Sequence, residues 1–274
     1  MGSDLLLDSR LALVHRADGW LAVADLHLGY ALERRRRGGL FPAYGDDELR
    51  RRLLALLEDH QPRTLILLGD IIDGAAAPEP GLELLRELAA RPGLELVALR
   101  GNHDRALDRA AGAGGGGDSE ESAAGVSLAR VHRRGRFVFH HGDPAGARAA
   151  ALVLAEAGPG AIEVSGHLHP AAVLRDGAGT KLKLPALWRR PAAEGGARER
   201  LVLPAFSPWS AGSPPEGVMR PGRGGGRRSG GAGRPRRSGA GADPPAQDQS
   251  PAPESAGELW VCAPGRVFPL GPRG

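Results

Sequence analysis

Residues 64–73 have the sequence Thr-Leu-Ile-Leu-Leu-Gly-Asp-Ile-Ile-Asp, in which an unbroken apolar run is followed by glycine and aspartate. A continuous run of this length predicts a strand that is buried on both faces, as in a parallel sheet. Residues 46–58 have an acidic start and leucines at helical spacing, which predicts an amphipathic helix. The stretch therefore indicates an α/β sheet, with Asp70 at the carboxyl end of a strand, where such sheets bind ligands.

The same alternation extends along most of the chain. Apolar runs predict strands at residues 5–7, 11–15, 20–24, 94–99, 136–140, 162–165 and 201–206. Periodic apolar residues predict helices at residues 82–91, 104–110 and 145–157. The sequence therefore predicts a layered α/β domain whose ligand site lies along the strand ends.

Four more polar clusters lie at or near the ends of predicted strands, as Gly69-Asp70-Ile71-Ile72-Asp73 does. They are Asp25-Leu26-His27, Gly101-Asn102-His103-Asp104, His140-His141-Gly142-Asp143 and Gly166-His167-Leu168-His169. Carboxylate, amide and imidazole groups are ligands for divalent metals. Two such ions held about 4 Å apart can split a phosphate ester, which makes a dinuclear phosphoesterase the leading hypothesis.

The clusters provide four ligands for each of two ions. In Asp25-Leu26-His27 the carboxylate and the imidazole lie on the same side of an extended strand end, so they can bind one ion. Asp70 can bridge both ions through its two oxygens. The predicted first set is Asp25, His27, Asp70 and His169, and the predicted second set is Asp70, Asn102, His141 and His167.

The order Asp-x-His, Gly-Asp-x-x-Asp, Gly-Asn-His-Asp, His and Gly-His-x-His resembles that of the calcineurin-like metallophosphoesterase superfamily, over residues 5–212. Residues 24–29, 167–170 and 203–207 look like the small bacterial and archaeal phosphoesterases. These include endonuclease-type enzymes associated with ATP-dependent DNA ligases and a helicase in the DNA-damage response. The resemblance implies an α/β/β/α sandwich of two β-sheets flanked by helices. It also implies two divalent ions, with Mn²⁺ preferred and Zn²⁺ or Fe as alternatives.

The implied reaction is phosphoester hydrolysis, in which the two ions lower the pKa of a bridging water and the resulting hydroxide attacks in line. The expected substrate is a phosphodiester in DNA or a nucleotide. Single-stranded DNA is one candidate, and a DNA ligase or helicase is a candidate partner. A phosphomonoesterase or protein phosphatase stays open, because pocket walls select the substrate. The alternative from another class is a nucleic-acid-binding scaffold that acts through an Arg/Gly-rich segment.

Neighbours of the ligands have further expected roles. His103 is the candidate general acid or charge stabiliser at the leaving oxygen, and Asp104 either orients His103 or caps a helix. Asp73 is expected to support the site rather than to bind metal. Of the adjacent His140 and His141, the second is favoured because a glycine follows it, as in the family pattern.

Composition divides the chain further. Residues 1–212 are expected to form the metallophosphoesterase domain, with a low-complexity loop insertion at residues 111–125. Residues 213–257 are rich in Arg, Gly and Pro and almost free of large apolar side chains, which predicts disorder. Residues 258–270 contain two apolar runs around a Pro-Gly turn and are expected to close the domain as a β-hairpin.

Charge is concentrated in one segment of the chain. The formal net charge is +4, yet residues 220–237 contain seven arginines and no acid, so the rest of the chain has a formal charge of −3. The arginines at positions 34–37 are either a solvated helix surface or contacts for substrate phosphates. The single cysteine, Cys262, excludes an internal disulfide and favours the cytoplasm. The apolar run at residues 5–7 is too short to predict a signal peptide or a membrane span.

Overall fold

The computed structural model describes residues 4–42, 44–73, 78–110, 121–123, 126–192, 198–215 and 257–270. This part of the chain forms fifteen strands and five helices. The strands are β1 (Leu5–Asp8), β2 (Ala12–His15), β3 (Trp20–Val23), β4 (Thr64–Leu67), β5 (Glu95–Leu99), β6 (Glu121–Ala123), β7 (Val126–Ala129), β8 (Val131–Arg134), β9 (Phe137–His140), β10 (Ile162–Ser165), β11 (Ala171–Arg175), β12 (Lys181–Arg190), β13 (Glu199–Val202), β14 (Glu258–Ala263) and β15 (Arg266–Leu270). The helices are α1 (Tyr30–Arg36), α2 (Gly45–His60), α3 (Glu79–Ala89), α4 (Arg105–Ala110) and α5 (Pro144–Ala157).

The first sheet has seven strands in the order β1-β2-β3-β4-β5-β7-β6. Strands β1 to β3 form an antiparallel meander, and β3, β4, β5 and β7 run parallel to one another. Every residue of β3 and β4 is buried, as expected for central strands covered on both faces. The apolar run that begins at residue 64 is therefore observed as a central parallel strand.

The second sheet has the order β15-β14-β12-β13-β10-β9-β8, and β11 pairs with β12 beside this path. Strands β9, β10 and β13 are parallel, whereas the remaining pairs are antiparallel. The last two strands form a hairpin in which Cys262 is paired with Val267 and buried. This hairpin adds two strands to the edge of the second sheet.

The two sheets pack face to face around a shared core. Trp20 of β3 meets the rings of Phe137 and Phe139 of β9, with ring centroids 5.0 and 5.1 Å apart. Helix α3 packs on β5 and β7 of the first sheet, and α5 packs on β8 and β9 of the second. The layers are thus helix, sheet, sheet and helix, which confirms the predicted α/β/β/α fold class.

An ion-pair network fastens helix α2 to strand β1. The Asp8 carboxylate accepts a hydrogen bond from Arg10 Nη2 at 2.7 Å, and His60 Nε2 lies 2.8 Å from the same oxygen. Burial opposes ionisation of Asp8, but these hydrogen bonds hold the pKa of the carboxyl well below its usual range. The network joins the end of a helix to the edge of the first sheet.

Some elements differ from the sequence-based expectations. The ten-residue strand β12 is not predicted. It contains Pro185, and proline is normally disfavoured in the interior of a sheet because it has no N–H to donate. The strand predicted at residues 201–206 ends at residue 202, and the chain continues as a loop in which the Phe206 N–H donates to the Ala24 carbonyl at 2.7 Å.

The two segments of unusual composition are only partly described. Within the predicted loop insertion at residues 111–125, Glu121–Ala123 is a strand, β6, that pairs antiparallel with β7. Residues 111–120, 124 and 125 lie outside the described residues, as do residues 216–256 of the Arg/Gly/Pro-rich segment. No described helix is long and apolar enough to cross a membrane.

Candidate metal centre

The loop after β3 holds two of the predicted ligands in an uncommon backbone conformation. Asp25 has φ 56° and His27 has φ 52°, both in the left-handed region. The Asp25 N–H donates to the Gly69 carbonyl at 3.2 Å, and the His27 N–H donates to the Asp70 carbonyl at 2.9 Å. The loop after β3 is therefore bonded to the loop after β4, which brings Asp25 and His27 beside Asp70.

Asp70 lies between the loops that follow β4 and β5. Its Oδ1 accepts a hydrogen bond from the His103 N–H at 2.8 Å. The chain passes Asp70 closely at Gly101, where an added Cβ would collide with the backbone nitrogen and the carboxylate of Asp70. Glycine at position 101 is thus required by the close approach of two loops, and it fixes the position of the Asp70 carboxylate.

His141 follows β9, and its ring orientation is set by the backbone. Its Nδ1 lies 2.8 Å from the Leu68 carbonyl oxygen, so Nδ1 carries the hydrogen and donates it. Its Nε2 then lies 3.3 Å from Asp70 Oδ2, 3.1 Å from Asn102 Oδ1 and 3.2 Å from His167 Nδ1. A ring held through one nitrogen, with the other facing a carboxylate, is typical of a histidine that binds metal.

The loop after β10 completes the group. The His167 N–H donates to the Asp25 carboxylate at 3.0 Å, and His169 Nε2 lies 3.4 Å from Asp25 Oδ1. Gly166 permits this approach, because an added Cβ would lie 2.7 Å from both the Ala24 Cβ and Asp25 Oδ2. Strands of both sheets therefore contribute to one centre.

Three groups of donor atoms result, each with its atoms within 4.8 Å of one another. They are Asp25 with His27 and His169, Asp70 with His141 and His167, and His27 with Asp73 and His103. Both ring nitrogens of His27, and Nε2 of His169, are buried without a hydrogen-bond partner among the described residues. Buried imidazole nitrogens are costly without a partner, so this donor set fits divalent metal ions.

A comparison with protein families agrees with the geometry. The family model described as calcineurin-like phosphoesterase matches residues 21–171, more than half of the chain. The chain belongs to the calcineurin-like phosphoesterase family. It is a hydrolase that acts on phosphoester bonds. A comparison with curated proteins finds no match.

Two bacterial proteins are among the solved structures to which the chain is similar. Nuclease MPE from Pseudomonas putida has a TM-score of 0.56 and 23% identity, covering 97% of this chain and 94% of its own. The phosphoesterase Yfce from E. coli has a TM-score of 0.39 and 17% identity, covering 69% of this chain and 80% of its own. At 23% identity, the likeness to the nuclease shows the shared fold.

Charges of opposite sign face each other within the phosphoesterase centre. Burial opposes ionisation of Asp70, but its contact with His141 lowers the pKa of Asp70 to about 2. Burial likewise opposes protonation of His141, yet the same contact raises the pKa of His141 to about 9. Burial lowers the pKa of His27 and of His167, which favours the neutral imidazoles that metals bind.

One alternative from the sequence was that Asp104 orients the His103 ring. In the phosphoesterase it is Asp73, not Asp104, that contacts this ring. Asp73 Oδ1 lies 3.5 Å from His103 Nδ1, and the hydrogen bond with Asp73 raises the pKa of His103. The fully buried Asp104 carboxylate accepts backbone N–H groups of Ile71, Ile72 and Gly101 at 2.8 to 3.0 Å. Asp104 therefore joins the loop after β4 to the loop after β5, and burial raises its pKa to about 6.

The two adjacent histidines of the phosphoesterase point to different surroundings. His140 is fully buried, and its Nε2 lies 2.8 Å from Glu163 Oε1, away from the donor groups. His141 is the one that meets Asp70. Asp73 is expected from the sequence to support the metal site. It contacts both His103 and His27, each at 3.5 Å. Its position three residues after Asp70 is the only sequence signal for this double contact.

Proposed function

We propose that this phosphoesterase is a dinuclear metal-dependent phosphodiesterase that acts on nucleic acid or nucleotides. The observation that carries the proposal is the position of one carboxylate oxygen between two donor groups. Asp70 Oδ2 lies 3.3 Å from His141 Nε2 and 4.0 Å from His27 Nε2. Each of these imidazoles belongs to a different group, which supports the proposal that Asp70 would bind both ions of a pair.

The residues that would hold the ions are those predicted from the sequence. Asp25, His27 and His169 would hold the first ion with Asp70, and His141, His167 and Asn102 would hold the second with the same carboxylate. When bound, a pair of divalent ions supplies Lewis acidity that lowers the pKa of water and neutralises phosphoryl charge. We propose Mn²⁺ as the preferred ion, while the nitrogen and oxygen donors also suit Zn²⁺ and Fe.

His103 is the proposed group at the leaving oxygen. Its side chain is 47% exposed, so it can reach a substrate, whereas its backbone N–H is fixed by Asp70. Asp73 holds the ring through Nδ1 at 3.5 Å and leaves Nε2 to face the substrate. In that position His103 can donate a proton to the leaving oxygen or stabilise its negative charge. Asp104 acts on the reaction through the loops that it joins.

Nucleic acid is the proposed substrate on two grounds. The sequence resembles endonuclease-type phosphoesterases, and the fold is similar to that of the P. putida protein described as a nuclease. We further propose that the reaction takes place in the cytoplasm and serves DNA repair, with a DNA ligase or helicase as partner and single-stranded DNA as substrate.

The test uses the purified full chain after dialysis against EDTA. Hydrolysis of bis(p-nitrophenyl) phosphate and of p-nitrophenyl phosphate is measured with Mn²⁺, Zn²⁺ or Fe²⁺ added back, and bound metal is counted by mass spectrometry. We expect two ions per chain and a faster reaction with the diester. Asp70→Ala should lose both ions and activity, whereas Asp59→Ala, which removes an exposed carboxylate paired with Arg10, should retain them. Hydrolysis by Asp70→Ala at the wild-type rate would refute the proposal.

A further inference from the structure

Three aromatic side chains from distant parts of the chain form one partly exposed group, which we call the aromatic platform. The rings of Tyr30 and Trp209 are nearly parallel, with centroids 6.4 Å apart and an interplanar angle of 18°. Phe41 meets each of them edge to face, at 5.7 Å in both cases. Stacked and edge-to-face contacts hold the platform in a fixed geometry.

The platform is bonded to the loop that carries the predicted ligands. The Tyr30 N–H donates to the His27 carbonyl at 3.2 Å. On the other side, the Ser207 N–H donates to the Asp25 carbonyl at 3.0 Å, and the Ser207 hydroxyl accepts the Trp209 N–H at 3.3 Å. Tyr30 is therefore hydrogen-bonded to the backbone of His27, and Trp209 is linked through Ser207 to the backbone of Asp25, so the platform lies next to the loop that carries these two residues.

The platform differs from the hydrophobic core in its exposure to solvent. None of its three rings belongs to the buried hydrophobic clusters of the described residues, and each remains partly exposed. Leu40, next to Phe41, is fully exposed, and Tyr44 is 62% exposed. The chain has only eleven Phe, Trp and Tyr residues, and three of them form this partly exposed group next to the loops that carry Asp25 and His27.

Positive charge adjoins the rings. The Arg34 guanidinium carbon lies 5.0 Å from the centre of the Tyr30 ring, and Arg34 to Arg37 occupy the exposed end of α1. Aromatic faces next to arginines are the combination with which proteins hold single strands, because every base has a face that can stack and every linkage has a charge.

We propose that the aromatic platform stacks an unpaired base of a single-stranded nucleic acid whose adjacent phosphodiester lies at the metal centre. The proposal rests on the proposed function and adds the side chains that hold a base of the substrate. Arg34 faces the phosphate next to the stacked base. Bases within a duplex are already stacked on one another, so the platform favours unpaired strands and strand ends over intact duplex. One stacked base is expected to change affinity about 10- to 100-fold.

Binding is measured first, without metal. Fluorescence anisotropy in EDTA compares a labelled oligothymidylate with the same strand in which every base is replaced by an abasic linker. We expect the wild-type chain to bind the oligothymidylate about 10- to 100-fold more tightly. Tyr30→Leu and Trp209→Leu should each reduce this ratio towards one. Equal affinity of the wild-type chain for the two strands would overturn the proposal without any variant having to fold.

The matched control is Phe268→Leu. Phe268 is also partly buried and has an arginine beside it, Arg266, at 5.8 Å from its ring centre. It lies on β15, four strands from β10 and so about 19 Å across the second sheet. Phe268→Leu should keep the wild-type ratio, and the same loss in Phe268→Leu as in Trp209→Leu would overturn the proposal.

Kinetics with Mn²⁺ separate this inference from the proposed function. The measured quantity is kcat/KM for the oligothymidylate divided by kcat/KM for bis(p-nitrophenyl) phosphate. Tyr30→Leu should lower this quotient about 10-fold or more, and an unchanged quotient would overturn the platform while leaving the phosphodiesterase intact. Failure of the wild-type chain to hydrolyse either compound would refute the proposed function, and the binding measurement in EDTA would still decide the platform.

Discussion

Replacing His140 and His141 one at a time tests the assignment on which the second donor group depends. Residues next to each other along a strand point to opposite faces, so the two imidazoles have different surroundings. His140 bonds to Glu163, whereas His141 bonds to the Leu68 carbonyl and faces Asp70. We expect His140→Ala to reduce stability and His141→Ala to remove metal and activity.

The expected cost of His140→Ala follows from its contacts. The side chain is fully buried, and its 2.8 Å hydrogen bond to the Glu163 carboxylate is charge-assisted. Losing a bond to a charged partner costs about 1.5–3 kcal/mol. Glu163 keeps a second partner, Arg200 at 3.1 Å, which limits the loss, while the space left by the imidazole adds to it. We therefore expect the free energy of unfolding to fall by about 2–4 kcal/mol.

His141→Ala should differ from His140→Ala by losing metal and activity. Replacing a residue that only supports a metal ligand reduces metal affinity or activity about 10–100-fold. Replacing a ligand itself should exceed that range. The assays are urea unfolding in EDTA, metal content after dialysis, and kcat/KM for bis(p-nitrophenyl) phosphate at a temperature where each variant is folded. If folded His140→Ala lost metal and activity while His141→Ala kept both, the reasoning from side-chain direction would be refuted.

Three further predictions follow from other parts of the molecule. Gly101→Ala should displace the Asp70 carboxylate, because the new Cβ would collide with it, and metal content should fall; unchanged metal content would contradict the predicted collision. Asp73→Asn should lower kcat about 10-fold with a smaller change in KM, because Asp73 holds the His103 ring, and steady-state kinetics at constant metal content measure this. Asp8 has a lowered pKa, so its contribution of about 1–2 kcal/mol is present above its unfolded pKa of about 3.9 and is lost as the pH falls further. The difference in unfolding free energy between the wild-type chain and Asp8→Asn should therefore shrink from pH 7 to pH 3, and a difference that stays constant would contradict it.

The fold was predictable where local pattern and burial agree. The run that begins at Thr64 is apolar at every position because β4 is covered on both faces, and it is observed as a central strand. The helix predicted at residues 46–58 is observed as Gly45–His60, and four of its five leucines are buried, as the helical spacing indicates. Strand β12 was not predicted, because Pro185 argues against a strand. In the structure β12 continues through Pro185 and pairs with β11 and β14.

The donor groups were largely predictable because each cluster follows a strand and parallel strands end at one edge. What spacing could not give was the partner of each supporting residue. Asp104 is adjacent to His103 along the chain and Asp73 is 30 residues before it, yet the folded loops put Asp73 beside the ring and Asp104 beneath the backbone. The aromatic platform has no spacing signal, since Trp209 is distant along the chain from Tyr30 and Phe41.

Backbone conformation supplies an independent reason to regard these residues as ligands. Seven described residues other than glycine have positive φ, and five of them are predicted ligands: Asp25, His27, Asp70, His167 and His169. A left-handed conformation costs such a residue about 1–3 kcal/mol, whereas glycine adopts it almost freely. If these positions served only to turn the chain, glycine would be the more stable choice at each of them. We infer that the strain persists because a carboxylate or an imidazole is needed there to bind metal, and a metal ion that binds only the folded chain would offset the strain through the free energy of binding.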